Sequence, residues 1–384
     1  MTRAYLLFAI WLISLGMLCY VYHGYFLVLR VAAWVCGRPT SDQAEGPLPS
    51  VSLLLTVHNE QERVDHCLTN LLALDYDRDR LEILVASDGS TDRTNQIVEH
   101  HAAHASVRLL AFERLGKSEA QNQAIRQAHG EIIAFTDADC MPAREYLREL
   151  VRPFADKQVG CVTGRLRITN GGGGVAREQG YYWAYELKLR EMESRLGILA
   201  VASGATMAVR RSAFVPLPPD VGEDCMIPLD VVLQGLKVVH ASAALATDSM
   251  VSDPAGEFRA RVRMTLRNWT GTWRRAVLLN PLRHPGYAAS LWSHKVLRWL
   301  SPIFVLIASV TSLGLIGHPV LWPLPLFTLV FFVLGALGWI SQFIGIRLPV
   351  VGAVYSFCLA NLGFLVGVVK SVAGRSIVAY TSRK

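Results

Sequence analysis

The stretch that decides the fold is Glu131-Ile132-Ile133-Ala134-Phe135-Thr136-Asp137-Ala138-Asp139. The run from Glu131 to Phe135 is apolar and rich in β-formers, which predicts a buried strand. Thr136-Asp137-Ala138-Asp139 then falls at its C-terminal end. Two carboxylates at i and i+2 there can turn one set of oxygens toward a hard cation and the other toward a sugar hydroxyl. Mg²⁺ or Mn²⁺ held by one or two carboxylates and completed by phosphate oxygens is the usual arrangement around a nucleoside diphosphate. Alone, Asp-x-Asp is weak evidence, because it arises easily by chance. The surrounding chain gives it weight.

Upstream, Val51 to Val57 reads as a buried parallel strand ending in His58-Asn59-Glu60. Leu81 to Ser87 reads as a second, ending in Asp88-Gly89-Ser90-Thr91-Asp92, where Ser90 or Thr91 can cap the next helix. Val107 to Phe112 is a third, and Gly116-Lys117 opens a helix running to about Ala128. Strands alternating with helices at this spacing predict an α/β fold with a parallel, doubly wound sheet. Ligands of such sheets sit outside the carboxyl ends of the strands. Thr56 to Glu60, Asp88, and Asp137 with Asp139 all fall on that rim. Downstream, Val159 to Leu166 and Ala205 to Val209 read as strands, and Gly171 to Gly174 as a surface linker. Arg177 to Arg195 reads as a helix whose Tyr181, Tyr182, Trp183 and Tyr185 suit packing better than sugar stacking. Gly222-Glu223-Asp224 opens another helix.

The 384 residues are 52% hydrophobic with a formal net charge of +7. That is too apolar for an ordinary soluble enzyme and too charged in the middle for an all-membrane protein. Residues 1–37 are expected to hold one membrane-spanning helix, a reading preferred over a cleaved signal because the run is long and lacks a clear small-x-small site. Residues 38–50 read as a linker and 51–254 as the α/β domain. From Glu257 to Arg298 nine Lys or Arg stand against one acid, interleaved with Trp269, Trp273, Trp292 and Trp299. That pattern predicts amphipathic interfacial helices over 255–299, with anionic lipid rather than nucleic acid as the partner. Leu300 to Leu313, Val320 to Ile340 and Pro349 to Val369 read as three further spans within 300–370, followed by a basic tail, 371–384. The seven cysteines form no C-x-x-C pair, so neither a zinc site nor a disulfide framework is expected.

The pattern resembles the membrane-integrated family 2 glycosyltransferases, the GT-A group that includes cellulose, hyaluronan and chitin-oligosaccharide synthases. The likeness spans roughly Val51 to Pro302. Its carriers are Thr56-Val57-His58-Asn59-Glu60, Ser87-Asp88-Gly89-Ser90-Thr91-Asp92, Gly116-Lys117, Thr136-Asp137-Ala138-Asp139 and Glu223-Asp224. Tyr182 to Glu186, Ser203-Gly204-Ala205 and Ser293 to Trp299 look like a bacterial envelope-polysaccharide subgroup. The resemblance implies that Thr56, Asn59, Glu60 and Asp88 hold the base and ribose of a nucleotide and that Lys117 sits near its diphosphate. Asp137 would face the nucleotide-sugar and share the metal with Asp139, and Asp224 would be the catalytic base. Where processive members carry Gln-x-x-Arg-Trp, this chain has Arg263-Met264-Thr265-Leu266-Arg267-Asn268-Trp269. That departure weighs against long-chain polymerisation. Arg263 or Arg267 can still reach a diphosphate and Trp269 an acceptor sugar, with Glu223 close by.

Sugar transfer from a nucleotide donor needs charge neutralised on the leaving diphosphate and one general base for the acceptor hydroxyl. The implied activity is inverting, metal-dependent transfer, UDP being the usual nucleotide of the resembling group, to a membrane-associated lipid or glycan. The implied setting is a bacterial inner membrane with the catalytic domain cytosolic. Two rivals are a polyprenyl-phosphate glycosyltransferase, whose phosphate nucleophile needs no base, and a non-catalytic nucleotide-binding membrane subunit.

Overall fold

The computed structural model describes residues 2–37, 47–103, 106–169, 174–249, 254–344 and 348–377. Most of the expected linker, the glycines 171–173, and Arg383 and Lys384 of the tail lie outside them, as do the side chains of Tyr181 and Tyr182.

The chain begins with helices α1 (Thr2–Cys19) and α2 (Tyr25–Cys36), joined by a π-turn. The α/β region follows as β1 (Val51–Val57), α3 (Val64–Leu72), β2 (Leu81–Asp88), α4 (Thr94–Ala102), β3 (Val107–Phe112), α5 (Lys117–Arg126) and β4 (Ile132–Thr136). Next come β5 (Cys140–Pro142), α6 (Tyr146–Val151), β6 (Val159–Thr169), α7 (Gly174–Arg195), β7 (Met207–Arg210), α8 (Glu223–Leu233) and β8 (Lys237–Ser249). The last part holds α9 (Pro254–Arg274), α10 (Pro285–Ser290), α11 (Leu297–Trp299), α12 (Ser301–Leu313), α13 (Pro323–Ile344) and α14 (Pro349–Val372).

The strands form one eight-stranded sheet in the order β3-β2-β1-β4-β7-β6-β8-β5. Its first four strands are parallel, as the βα alternation predicts. Beyond β4 the sheet becomes mixed, because β7 runs antiparallel to both β4 and β6, and β5 antiparallel to β8. β1 carries a continuous apolar run because both its faces are covered. Leu53 and Leu55 pack with Leu68 of α3 and Leu147 of α6, whereas Leu54 packs on the other side with Ala124 of α5 and Met226 of α8. Register pairs Leu55 with Thr136 and Val57 with Ser87, so the C-terminal ends of β1, β2 and β4 share one rim.

Among the described residues, three helical stretches are long and apolar enough to cross a membrane: Arg3–Cys36, Pro323–Gln342 and Pro349–Val372. Large apolar side chains such as Leu6, Ile13, Val31, Phe327 and Leu329 point outward along them. α12, expected as a span in its own right, has 13 residues. At 1.5 Å per residue that is about 20 Å, short of the roughly 30 Å hydrocarbon core. It instead continues the Pro285–Trp299 stretch across a 55° bend, and the pair together is long enough to count as a fourth, broken span. Pro302 at the start of α12 fits this break, since proline is tolerated in a first helical turn but not beyond it.

Candidate active site at the rim of the sheet

A cavity of about 280 Å³ opens where β1 and β4 end. Its lining includes Thr56 and Glu60 after β1, Asp137 and Asp139 after β4, Lys117 at the start of α5, and Glu223 and Asp224 at the start of α8. Arg263 and Arg267 of α9 close the far side. Asp139 and Asp224, which the sequence leaves 85 residues apart, thus face one space.

Local chemistry fixes each group. Gly116 has φ +88°, a left-handed turn that a side chain would strain, and it aims Lys117 back over the rim. Lys117 Nζ lies 2.8 Å from Asp137 Oδ1 and 2.6 Å from Glu223 Oε1, so it ties the end of β4 to the start of α8. Arg267 is buried and donates to Ser118 Oγ at 2.9 Å and to the Val221 carbonyl, which holds α9 against α5 and the loop before α8. Asn268 Nδ2 donates to Asp224 Oδ2 at 3.5 Å. Two glycines make room for the carboxylates. A Cβ on Gly204 would stand 2.8 Å from Glu223 Oε1, and one on Gly222 only 2.3 Å from Asp224 Oδ1.

The two adjacent carboxylates are pushed apart in basicity. Burial works against ionisation of Glu223, but the Lys117 ammonium and the Arg267 guanidinium outweigh it and hold Glu223 well below the usual range. Burial raises Asp224, and the neighbouring Glu223 charge raises it further. Glu223 is therefore the fixed anion of the pair and Asp224 the group able to take a proton.

The residues fit a hard divalent cation. Among the described residues no cluster of three or more His, Cys, Asp or Glu could hold a metal by itself. Mg²⁺ and Mn²⁺ bound beside a diphosphate need only one or two carboxylates, however, which Asp137 and Asp139 could supply. Their negative field reaches their neighbours: burial first, then Asp139 and Asp137, push the Cys67 thiol up to about 12. Burial also raises Glu60, partly offset by Arg63, with Asp139 and Asp137 adding to the rise. Thr56 Oγ1 is buried on the same wall without a hydrogen-bond partner.

Three expected site residues do not line this cavity. Asp88 is buried, and its Oδ1 accepts from the Leu115 and Gly116 amides at 2.7 and 2.9 Å while Oδ2 pairs with Arg114 at 2.8 Å. That carboxylate shapes the loop that delivers Lys117. Asn59 sits at φ +54°, a conformation asparagine tolerates, and its Oδ1 accepts from the Thr91 amide at 2.8 Å. It joins two rim loops. Trp269 is in the core, 5.6 Å from Trp273 and 6.0 Å from Trp299 between ring centroids. Its four-residue surroundings carry α9 packing, and the tryptophan that faces the cavity is Trp183.

A second chamber of about 230 Å³ adjoins the first and shares Asp224, Asp248, Trp183, Arg190 and Asn268 with it. Its walls come from β6, α7, α8, α9, α11 and α14, with Ala200 to Ala202 and Asp248 of β8. On one side is a buried ionic cluster. Glu186 Oε2 lies 3.0 Å from His294 Nε2 and 2.8 Å from Arg298 Nη1, and Glu186 Oε1 lies 2.7 Å from Lys295 Nζ. Glu193 Oε1 meets His294 Nδ1 at 2.9 Å and accepts from Tyr25 of α2 at 2.7 Å. The sequence signal for it was the spacing Glu186, Arg190, Glu193 on one face of α7, set against the His294-Lys295 and Arg298 run.

Residues 52–216 match the model of glycosyl transferase family 2. Among curated proteins the chain is 30% identical over 174 residues to the glycosyltransferase AglE of Haloferax volcanii, covering 45% of this chain and 56% of that one. It is 26% identical over 284 residues to an N-acetylglucosaminyltransferase of Neorhizobium galegae, covering 69% and 64%. It is 27% identical over 233 residues to the poly-beta-1,6-N-acetyl-D-glucosamine synthase of Staphylococcus aureus, covering 58% and 54%. The chain thus spans about three fifths of the length of the curated relatives it matches. Among solved structures, the mannosyltransferase PcManGT from Pyrobaculum calidifontis, in complex with GDP-Man and Mn²⁺, superposes with a TM-score of 0.73 at 22% identity, over 96% of this chain and 100% of that one. At that identity the likeness speaks for the fold. The matched family model lies on the strands and loops that build the rim, and the mixed sheet is that of the solved structure; this chain carries a glycosyl transferase family 2 domain of GT-A fold.

Proposed function

We propose that the protein transfers a sugar, with inversion, from a nucleotide-sugar to a hydroxyl of a membrane-associated lipid or glycan. The observation that carries this reading is Asp224, a carboxylate of raised basicity standing where the two chambers meet. The donor occupies the polar chamber and the acceptor approaches from the other. As the acceptor oxygen attacks the anomeric carbon, its proton passes to Asp224 and the bond to the diphosphate oxygen breaks. One carboxylate is enough, because the leaving diphosphate needs neutralised charge rather than a proton. Attack from the face opposite the leaving group gives a β-linked product from an α-linked donor.

Thr56 and Glu60 are assigned to the nucleotide, Lys117, Arg263 and Arg267 to the diphosphate, and Asp137 to the donor side of the site. Asp139, with Asp137, would hold Mg²⁺ or Mn²⁺, which when bound supplies positive charge to the diphosphate. UDP is the favoured nucleotide, on the strength of the resemblance and of relatives named for N-acetylglucosamine transfer; GDP is the alternative, since PcManGT was solved with GDP-Man. Residues 51–254 form the transferase unit, 255–299 lie at the interface, and the apolar helices anchor both in a bacterial inner membrane with the site cytosolic.

The test is nucleoside diphosphate release by the purified full chain over a panel of nucleotide-sugars with Mn²⁺, repeated with Asp224→Asn. The variant should bind nucleotide as the wild type does and lose at least about 10²-fold in transfer. Full transfer by Asp224→Asn would remove Asp224 from the mechanism and favour a phosphate nucleophile.

A further inference from the structure

Arg190 of α7 is buried and lines both chambers beside Asp224. Among the described residues its carboxylate contacts are to Glu186 Oε1, at 3.3 Å from Nε and 3.2 Å from Nη2. These are the longest contacts that Glu186 makes, because the same carboxylate serves Lys295, His294 and Arg298 at 2.7 to 3.0 Å. Arg190 Nη1 is enclosed and has no hydrogen-bond partner. A guanidinium that shares one carboxylate with Lys295, Arg298 and His294 and, among the described residues, keeps a buried N–H unmet is an unfilled donor, since such a group costs free energy unless an oxygen meets it. The field around it is positive: burial and then Arg190 and Arg165 push His240 down to about 4.

The rest of the inner chamber is mixed: Asp248, Glu257, Arg261, Lys295 and Arg298 line it together with an apolar set. Val201, Leu229, Met264, Leu291, Trp299 and Phe364 line it. Phe364 belongs to α14, one of the stretches long and apolar enough to cross a membrane.

We propose that the inner chamber is the acceptor site, that the acceptor is an amphiphile, and that an oxyanion on it is held by Arg190 Nη1 while its hydroxyl faces Asp224. This rests on the transferase reading and adds the chemical class of the acceptor. Arg190 touches the acceptor and not the breaking bond, so it is a specificity residue. The oxyanion is a phosphate ester or a carboxylate, and the two sources are separable.

The experiment uses the full chain in phosphatidylcholine nanodiscs and radiolabelled dodecyl phosphate, with dodecanoate, dodecyl β-glucoside or inorganic phosphate as competitors. UDP and GDP binding with Mn²⁺ is measured on the same samples. Saturable binding is expected for dodecyl phosphate or dodecanoate, whichever source is correct. Dodecyl β-glucoside should compete at least tenfold less well, and inorganic phosphate not at all at equal concentration. Arg190→Gln should weaken binding of the anionic amphiphile at least tenfold and leave nucleotide binding within twofold, which also reports that the fold is intact. Arg190→Lys, which keeps the charge beside Glu186 but loses the guanidinium fork, should fall between. Equal competition by the glucoside, unchanged amphiphile binding in both variants, or a matching loss of nucleotide binding in Arg190→Lys would overturn the proposal. Amphiphile binding without any nucleotide binding in the wild type would instead sink the transferase reading and the acceptor assignment with it.

Discussion

Replacing Gly222 by alanine isolates the position of one carboxylate. Gly222 has φ −87° and ψ 140°, an extended conformation open to alanine, so the backbone need not move. The added Cβ would stand 2.3 Å from Asp224 Oδ1 and 3.1 Å from Asn268 Oδ1, where ordinary contact begins at 3.4 Å. The Asp224 carboxylate must therefore retreat by about 1 Å, a misplacement that costs on the order of 10²-fold in rate. In activation free energy that is about 2.7 kcal/mol. Loss of glycine from the position before α8 adds up to about 1 kcal/mol of instability, too little to unfold the domain. The assay is kcat and KM for nucleoside diphosphate release, with UDP or GDP binding and the thermal midpoint measured on the same preparation. The expected result is a kcat about 100-fold lower with nucleotide binding within twofold of wild type. Gly16→Ala, at a site with nothing within 4 Å, serves as the neutral control. A Gly222→Ala enzyme with wild-type kcat would refute the reasoning, because the carboxylate would then have moved without consequence.

Glu223→Gln removes one of the two causes that raise Asp224, so Asp224 gives up its proton at lower pH and the acid limb of the kcat profile should move down in pH; an unmoved limb counts against Asp224 as the titrating base. EDTA should abolish diphosphate release, Mn²⁺ should restore it, and Asp139→Asn should need far more Mn²⁺ for the same rate, read as a metal titration. His294→Ala leaves the buried Glu186 and Glu193 short of their shared partner and should cost about 3–5 kcal/mol of stability, seen as a lowered thermal midpoint. Against burial, His294 is the first-ranked cause holding both carboxyls below the usual range. Their stabilisation is thus complete above the unfolded value of about 4.3 and should be lost only as the pH falls below it. A soluble 40–255 fragment lacks α9, which supplies Arg267 and Asn268, and should be inactive; activity in that fragment contradicts the need for the helices.

The parallel half of the sheet could be read directly, since β1 to β4 each announce themselves by an apolar run followed by polar loop residues. The convergence of Thr56 to Glu60 with Asp137 and Asp139 on one rim followed from that topology alone, whereas Lys117 came only with the family likeness. Asp224 could be tied to them only through a family likeness, because nothing local in Gly222-Glu223-Asp224 tells a helix start from a catalytic one. Asp88 and Asn59 are expected at the nucleotide, and the structure shows each of them bonded to a rim loop. A polar residue at a strand end is as well used in holding a loop as in holding a ligand, and only coordinates tell which way it turns. Trp269 was drawn into the core by Trp273 and Trp299, a choice made by packing across α9 and α11 that no spacing rule contains. The broken span of α11 and α12 escaped because hydropathy records apolar length and not a 55° bend. Arg190 went unnoticed since its meaning lies in a donor left unmet, which only a three-dimensional count of partners exposes.

The bond from Tyr25 to Glu193 gives the N-terminal apolar stretch a mechanical role. α2 is latched by that hydroxyl onto the helix that carries Arg190, and Phe26 stacks on Tyr185 of the same helix at 5.6 Å. On the proposed membrane-anchored reading, a lever held in lipid at one end and beside the second chamber at the other will feel any change in tilt that a thinner or thicker bilayer imposes. Turnover should then vary with acyl length in the wild type, and Tyr25→Phe should flatten that dependence by undoing the latch.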